Sequence, residues 1–318
     1  MKKLALILAL ALTLGLVGCG NSAAKDASDK SAGSTSAAAS SAKSENTAFT
    51  GDYVVDAAYV KKNLDNIVLI DARGDEAAAK ETIKGAIPLM WQYLATCEDG
   101  KPGEKNWGCI LDLKRLNTRL GEKGIDPSKE IVLFAAAQKG WGEDGRIAWE
   151  LLAAGYKDVK IVNGGFDALK NAGLETAKGG ATPKAVTVDV KSIDQTHDIN
   201  TDELKKNYSD YKVVDVRADA EYDGKTLYGE AKGGHLPDAI HIRFTDLFQD
   251  NGQLKSKEDI TAMFEKAGLS KDDSIVTYCT AGIRSAYMQL ILEMCGYQKV
   301  KNYDESYYRW CAVETVEK

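Results

Sequence analysis

One cysteine in this chain of 318 residues stands where a sulfur nucleophile could act. Cys279 follows Ile275-Val276-Thr277-Tyr278, apolar or β-branched residues that suit a short buried strand. It opens a tight loop, Cys279-Thr280-Ala281-Gly282-Ile283-Arg284. Behind the loop, Ile283, Ala286, Tyr287, Leu290, Ile291 and Met294 recur at helical spacing. A thiol placed between strand and helix faces unpaired N–H groups and the positive end of the helix dipole. Both favour an anion, so the thiolate, which is the nucleophile, forms more readily. Gly282 lets the loop curl with its N–H groups inward, and Arg284 adds a forked cation suited to an oxyanion. Thr280, Ala281, Gly282, Ile283 and Arg284 are therefore the candidate substrate-binding residues around Cys279.

The elements that must hold this loop occur twice. Asp71-Ala72-Arg73 recurs as Asp215-Val216-Arg217, Gly124 as Gly268 and Ile131-Val132 as Ile275-Val276, each 144 positions on. Beyond the loop, Gly155-Tyr156 recurs as Gly296-Tyr297 with the offset cut to 141, so the first copy has the longer loop. Each copy alternates short apolar strands with amphipathic helices, which predicts an α/β fold with a mostly parallel sheet flanked by helices. Asn200 with Glu203 and Ser256 with Asp259 have the spacing of helix caps. In the first copy Ala135 stands at the position of Cys279, Glu143 falls opposite Arg284, and Ala135 to Gly142 contains no thiol or hydroxyl. Arg146 is near but has no nucleophile to serve.

Cys-x-x-Gly-x-Arg-Ser after an apolar strand resembles the active loop of the rhodanese (thiosulfate sulfurtransferase) family. Val213 to Arg217, Glu221 to Gly224, Gly233 to Ile240, and Asn302 to Ser306 with Trp310 resemble its other segments in order. The resemblance implies two tandem rhodanese-like domains, the first (51–180) non-catalytic, then a linker (181–199) and a catalytic domain (200–318). It implies that Asp215 and Arg217 support the loop structurally, that His235 belongs to its turn, and that the first domain packs on the second and walls off part of the pocket. Two departures remove positive charge: Glu221 stands where some relatives carry a substrate-gripping arginine, and Ala281 where some carry a lysine. Arg284 and the loop N–H groups would then be the main anion grip, with Lys232 as a further candidate.

Ahead of the domains, Lys2 and Lys3 precede an apolar run from Leu4 to Val17, which is too short to span a membrane. It ends in Leu16-Val17-Gly18-Cys19, which resembles a bacterial lipobox. Residues 1–18 thus read as a lipoprotein signal and Cys19 as the acylated residue, anchoring the protein to an extracytoplasmic membrane face of a bacterial envelope. Residues 19–50, rich in Ala, Ser, Lys and Asp, read as a disordered tether. The net charge is −6, or −8 once Lys2 and Lys3 are removed. With no basic stripe interleaved with aromatics, a nucleic-acid partner finds no support. Cys97 and Cys109 flank a loop and form a candidate disulfide, while Cys295 and Cys311 read as buried and free. No Cys-x-x-Cys spacing or phosphate-loop pattern occurs, so neither a metal nor an organic cofactor is expected.

The chemistry implied is a double displacement: Cys279 takes sulfane sulfur from thiosulfate or a related donor and passes it to cyanide or a thiol. One alternative is a non-enzymatic sulfur-carrier or ligand-binding lipoprotein. Mercaptopyruvate sulfur transfer is another. A phosphatase or arsenate reductase of related fold is weaker, because those enzymes use a His-Cys-x5-Arg loop, whereas here Tyr278 precedes a Cys-x4-Arg loop.

Overall fold

Apolar runs on either side of each loop become the central strands of two small sheets. The structure, a computed structural model, describes residues 48–318. The signal segment, Cys19 and nearly all of the tether lie outside the described residues. The first copy contributes β1 (Val54–Val55), β2 (Ile67–Asp71), β3 (Thr82–Ile83), β4 (Ile87–Pro88), β5 (Glu130–Phe134), β6 (Val159–Val162) and β7 (Thr176–Ala177). The second contributes β8 (Asp198–Ile199), β9 (Lys212–Asp215), β10 (Ile240–His241), β11 (Ile275–Tyr278) and β12 (Val300–Tyr303).

The strand orders are β1-β6-β5-β2-β4 and β8-β12-β11-β9-β10, the same topology twice, with β3 and β7 a separate antiparallel pair. Every pairing in the two larger sheets is parallel. Parallel neighbours need crossovers, and helices supply them on the sheet faces. The expected caps form: Asn200 Oδ1 accepts the Glu203 N–H at 2.9 Å and Ser256 Oγ accepts the Asp259 N–H at 3.0 Å.

In each copy the helix after the loop, Glu143–Ala153 or Ile283–Met294, begins behind a left-handed glycine, Gly142 at φ +74° and Gly282 at φ +78°. These two helices pack on each other. A Cβ on Gly145 would lie 2.5 Å from Tyr287 Cδ2 and 2.8 Å from its Cα, so the bare glycine is what allows the approach. Ile147 and Leu151 share one apolar core with Tyr287, Leu290 and Ile291, so the copies form a single compact unit. The segment between them has no regular structure over 180–195 but is tied down. The Val186 N–H donates to Gly121 O at 3.0 Å, the Val190 N–H to Asn117 Oδ1 at 2.7 Å, and the Asp194 N–H to Ala153 O at 2.8 Å.

Cys97 and Cys109 are free thiols, which corrects the candidate disulfide. Ala95 pairs with Ile110 across an antiparallel bridge, and that register sets Thr96 opposite Cys109. The Cys109 N–H donates to Thr96 Oγ1 at 3.0 Å, and the Thr96 N–H to Cys109 O at 2.8 Å. Burial pushes the Cys97 thiol up to about 12, and the more deeply buried Cys109 thiol is pushed up as well, so both remain protonated. Gly145→Ala is expected to lower stability by about 2 kcal/mol through overpacking against Tyr287, although alanine favours an exposed helix by about 1 kcal/mol. A fall in the urea midpoint at unchanged slope would show it.

Candidate active site

β11 delivers Cys279 to the mouth of the Ile283–Met294 helix, where it is only 1% exposed. Its N–H donates to Ser306 Oγ at 2.9 Å, and the Ser306 hydroxyl donates to Cys279 O at 3.0 Å. The Ser285 hydroxyl lies 3.7 Å from Cys279 Sγ and 2.7 Å from Asn302 Oδ1, with a single proton to give to one of them. Burial alone would push the Cys279 thiol up. The Arg284 charge, the N–H groups of Ser285 and Ala281 and the Ser285 hydroxyl outweigh it, leaving the thiol below its ordinary range. This is the electrostatic setting expected of a reactive cysteine.

Arg284 departs from its expected role. Its Nη1 donates to Glu221 Oε2 and its Nη2 to Glu221 Oε1, each at 2.8 Å. Nη2 also donates to Thr280 Oγ1 at 2.9 Å, and the Thr280 hydroxyl donates to Glu221 Oε1 at 2.7 Å. Burial would raise the Glu221 carboxyl, but Arg284 and Thr280 hold it below the usual range. The cation meant to grip an anion is therefore already closed by an internal carboxylate. Trp141 lies over the guanidinium, 4.8 Å from ring centroid to Cζ. Beyond Trp141 lies a separate cavity of about 290 Å³, lined by Thr280, Ala281 and Ile283 of the loop but not by Arg284. Arg284 and Glu221 line a second cavity, which shares Trp141 and Tyr228 with the first.

Most of the larger cavity's wall comes from the copy without a thiol: Ala72, Arg73, Met90, Trp91, Gln92, Trp107, Trp141 and Glu143. Tyr228 and Tyr308 complete its aromatic surface. The first copy thus walls a cavity that Thr280, Ala281 and Ile283 of the Cys279 loop also line. Sequence reasoning missed Trp141, although a tryptophan between two glycines in the longer loop was a visible signal. The other aromatics lie in segments far apart in the chain and carried none. Lys232 is not part of either wall; its Nζ donates to Glu314 O at 2.8 Å.

Arg146 turns out to serve the other copy's loop. It is fully buried, ion-paired to Asp304 and, at 2.9 Å, to Glu150. It also donates to Gly108 O at 2.9 Å and to Gly282 O, inside the Cys279 loop, at 3.3 Å. Burial alone would lower its pKa, but Asp304 and Glu150 raise it, so it stays charged. A Cβ on Gly282 would lie 2.6 Å from Asp304 O and 2.9 Å from Arg146 Nη1. Asp215 and Arg217 are likewise buried. Arg217 Nε and Nη2 clasp the Asp215 carboxylate, Nη2 donates to Gly234 O at 2.7 Å, and the Tyr278 hydroxyl donates to Asp215 Oδ2 at 2.5 Å. That geometry is a brace beneath the loop. His235 stacks on Tyr222 with centroids 3.8 Å apart, within its turn. Cys279, Cys295 and Cys311 are all buried and none lines either cavity; only Cys279 has its neighbours Thr280, Ala281 and Ile283 on the wall.

The chain matches the family described as "Rhodanese-like domain" over residues 56–172 and 200–313. A "Putative thiosulfate sulfurtransferase" of Mycobacterium leprae is 28% identical over 267 residues, covering 80% of this chain and 93% of the relative. The "Sulfur carrier protein TtuD" of Thermus thermophilus is 29% identical over 243 residues, covering 72% and 81%. Among solved structures, the anaerobic ergothioneine biosynthesis enzyme from Chlorobium limicola, in complex with its natural substrate trimethyl histidine, superposes with a TM-score of 0.72 at 20% identity, covering 84% of this chain and 71% of that one. At that identity the likeness concerns the fold.

Arg146→Met should cost about 3–5 kcal/mol, because it strands buried carboxylates. Arg146→Lys keeps the charge but not the fork. It should shift the acid limb of Cys279 reactivity upward by roughly one pH unit, as the loop donors lose their anchor at Gly282. An unchanged pH profile of Cys279 alkylation in the lysine variant would show that Arg146 does not position the loop.

Proposed function

The chain belongs to the rhodanese-like domain family, and on that premise we propose that it is a sulfurtransferase working through a Cys279 persulfide. The observation that carries the reading is the Cys279 thiol itself, depressed by Arg284 and loop N–H groups, in a loop whose Thr280, Ala281 and Ile283 line a cavity open to small molecules. The Cys279 thiolate attacks the outer sulfur of thiosulfate or a related donor. The donor's S–S bond breaks, sulfite leaves with the electron pair, and a persulfide remains on Cys279. The N–H groups of Ala281 and Ser285, which face Sγ, hold the negative charge, as an oxyanion hole would. Cyanide or a thiol then takes the sulfur. Phosphoryl or arsenate chemistry is disfavoured because the Arg284 fork is turned to Glu221.

A carrier role is the second reading. It is favoured by the near-complete burial of Cys279 and by the relative named as a sulfur carrier. Turnover with a small-molecule donor separates the two. We further propose that the protein acts from a lipid anchor at Cys19 on an extracytoplasmic face of the bacterial envelope. The signal-like Leu4 to Gly18 segment supports this, and release of the chain from membranes by Cys19→Ala would test it. Among the described residues no helix is long and apolar enough to cross a membrane.

Mass measurement of the reduced protein after exposure to thiosulfate tests the central reading. One added sulfur atom is expected, lost on adding cyanide and absent from Cys279→Ala; no added sulfur with thiosulfate, mercaptopyruvate or polysulfide would sink it. Glu221→Gln leaves the Arg284 charge unopposed while keeping a hydrogen-bond partner. It should raise kcat/KM for thiosulfate roughly tenfold, equivalent to about 1.4 kcal/mol, and move the acid limb of the pH profile lower, since the freed cation further favours the thiolate.

A further inference from the structure

The charges around the 290 Å³ cavity do not suit a small dianion. Two charged side chains line it, Arg73 and Glu143. Arg73 is committed: its Nε and Nη2 clasp Asp71 at 2.9 and 2.7 Å, and its guanidinium stacks on Phe166 at 3.8 Å. Glu143 makes no ion pair among the described residues; its Oε2 accepts the Trp141 N–H at 2.9 Å. Arg284 is shielded by Trp141 and closed by Glu221. The side chain left without an opposing charge on the cavity wall is thus the Glu143 carboxyl, across from Thr280, Ala281 and Ile283 of the loop that carries Cys279.

Five aromatic side chains share the rest of the wall with Met90, Gln92, Ile283 and smaller residues. Trp141 meets Tyr228 edge-to-face at 5.1 Å, Trp107 meets Tyr308 edge-to-face at 5.6 Å, and Trp91 joins them. Aromatic faces grouped with one carboxylate recognise an organic cation, through the ring quadrupoles and the opposite charge. We propose that this cavity is the acceptor site and that its ligand is a small cationic thiol, its ammonium held by Glu143 and the aromatic walls. The proposal rests on the reading of Cys279 as a persulfide carrier. The acceptor's sulfur attacks the terminal sulfur of the persulfide, and the bond to Cys279 breaks with its electron pair returning to Cys279 as thiolate. The acceptor's proton passes to the product hydropersulfide. The atom transferred is zero-valent sulfur, so no outside oxidant or reductant is needed.

Two arms test this. In the first, the tryptophan fluorescence of Cys279→Ser protein is titrated with tetramethylammonium and with sulfate. Saturable quenching by the cation is expected, weakened about tenfold in Glu143→Gln and restored in Glu143→Asp. No saturable response to the cation, or one unmoved by Glu143→Gln, would overturn the cation site. In the second, protein loaded with sulfur from polysulfide is discharged by 2-aminoethanethiol, 2-hydroxyethanethiol or mercaptoacetate. The ratio of the cationic to the anionic rate should fall about tenfold in Glu143→Gln while the neutral thiol is unaffected, and an unchanged ratio would overturn the acceptor assignment. Failure of Cys279 to load at all would refute the persulfide reading, and with it the acceptor assignment, but not the cation site, which the fluorescence arm decides alone.

Discussion

Arg146 carries its charge in a place that water does not reach. Desolvating a guanidinium costs several kcal/mol, and only close carboxylates and further hydrogen bonds offset it. Asp304 and Glu150 supply the charge, and the carbonyls of Gly108 and Gly282 accept two further donors. These partners come from both copies of the fold. Pulling the copies apart would leave a guanidinium short of Asp304 and a carboxylate without its cation, a larger penalty than separating apolar faces alone. The bond to Gly282 O ties that constraint to the loop around Cys279. The left-handed glycine leaves room for the contact, where a Cβ would meet both Asp304 and Arg146. The copy without a nucleophile is therefore a structural part of the reactive loop.

The second determinant is where the positive charge near the thiol is spent. Arg284 is close enough to favour the thiolate, yet both ends of its fork are held by Glu221. The sulfur keeps its activation while an incoming anion loses its grip. Backbone N–H groups can still stabilise one negative charge at the sulfur, but they do not replace a forked cation in holding a dianionic donor. Glu143 moves the cavity further in the same direction. The relatives' thiosulfate names and the polarity of this pocket thus pull apart, and the internal ion pair is the reason.

Local signals in the sequence carried what depends on local chemistry. Strand, cysteine, left-handed glycine and helix follow one another within twenty residues, so the loop and its depressed thiol were legible, as were the caps at Asn200 and Ser256. The repeat of Asp71-Ala72-Arg73 and Asp215-Val216-Arg217 announced the duplicated sheets. The Arg284–Glu221 pair spans 63 positions and the Arg146–Asp304 pair 158, and no periodicity connects residues so far apart. Glu221 is legible in the sequence as a missing positive charge, but its bond to Arg284 is not. The spacing of Cys97 and Cys109 suggested a bridge because spacing does not reveal register, and the register gives Cys109 a threonine instead.

The two loops also differ in what occupies the helix end. Each sheet ends a central strand beside the N-terminus of a helix that starts behind a left-handed glycine, and each helix end attracts an anion. In the second copy Cys279 stands there, its thiol held below the ordinary range. In the first copy a buried carboxyl of the chain itself lies there. Asp144 is buried there, its Oδ1 accepting the Gly145 N–H at 2.9 Å, and burial followed by the nearby Glu143 pushes it up to about 7. A buried carboxyl that already accepts from the helix's own N–H leaves little room for an exchangeable ligand. The same backbone that activates sulfur in one copy is thereby closed in the other, leaving Glu143 and Trp141 to face the cavity beside Cys279.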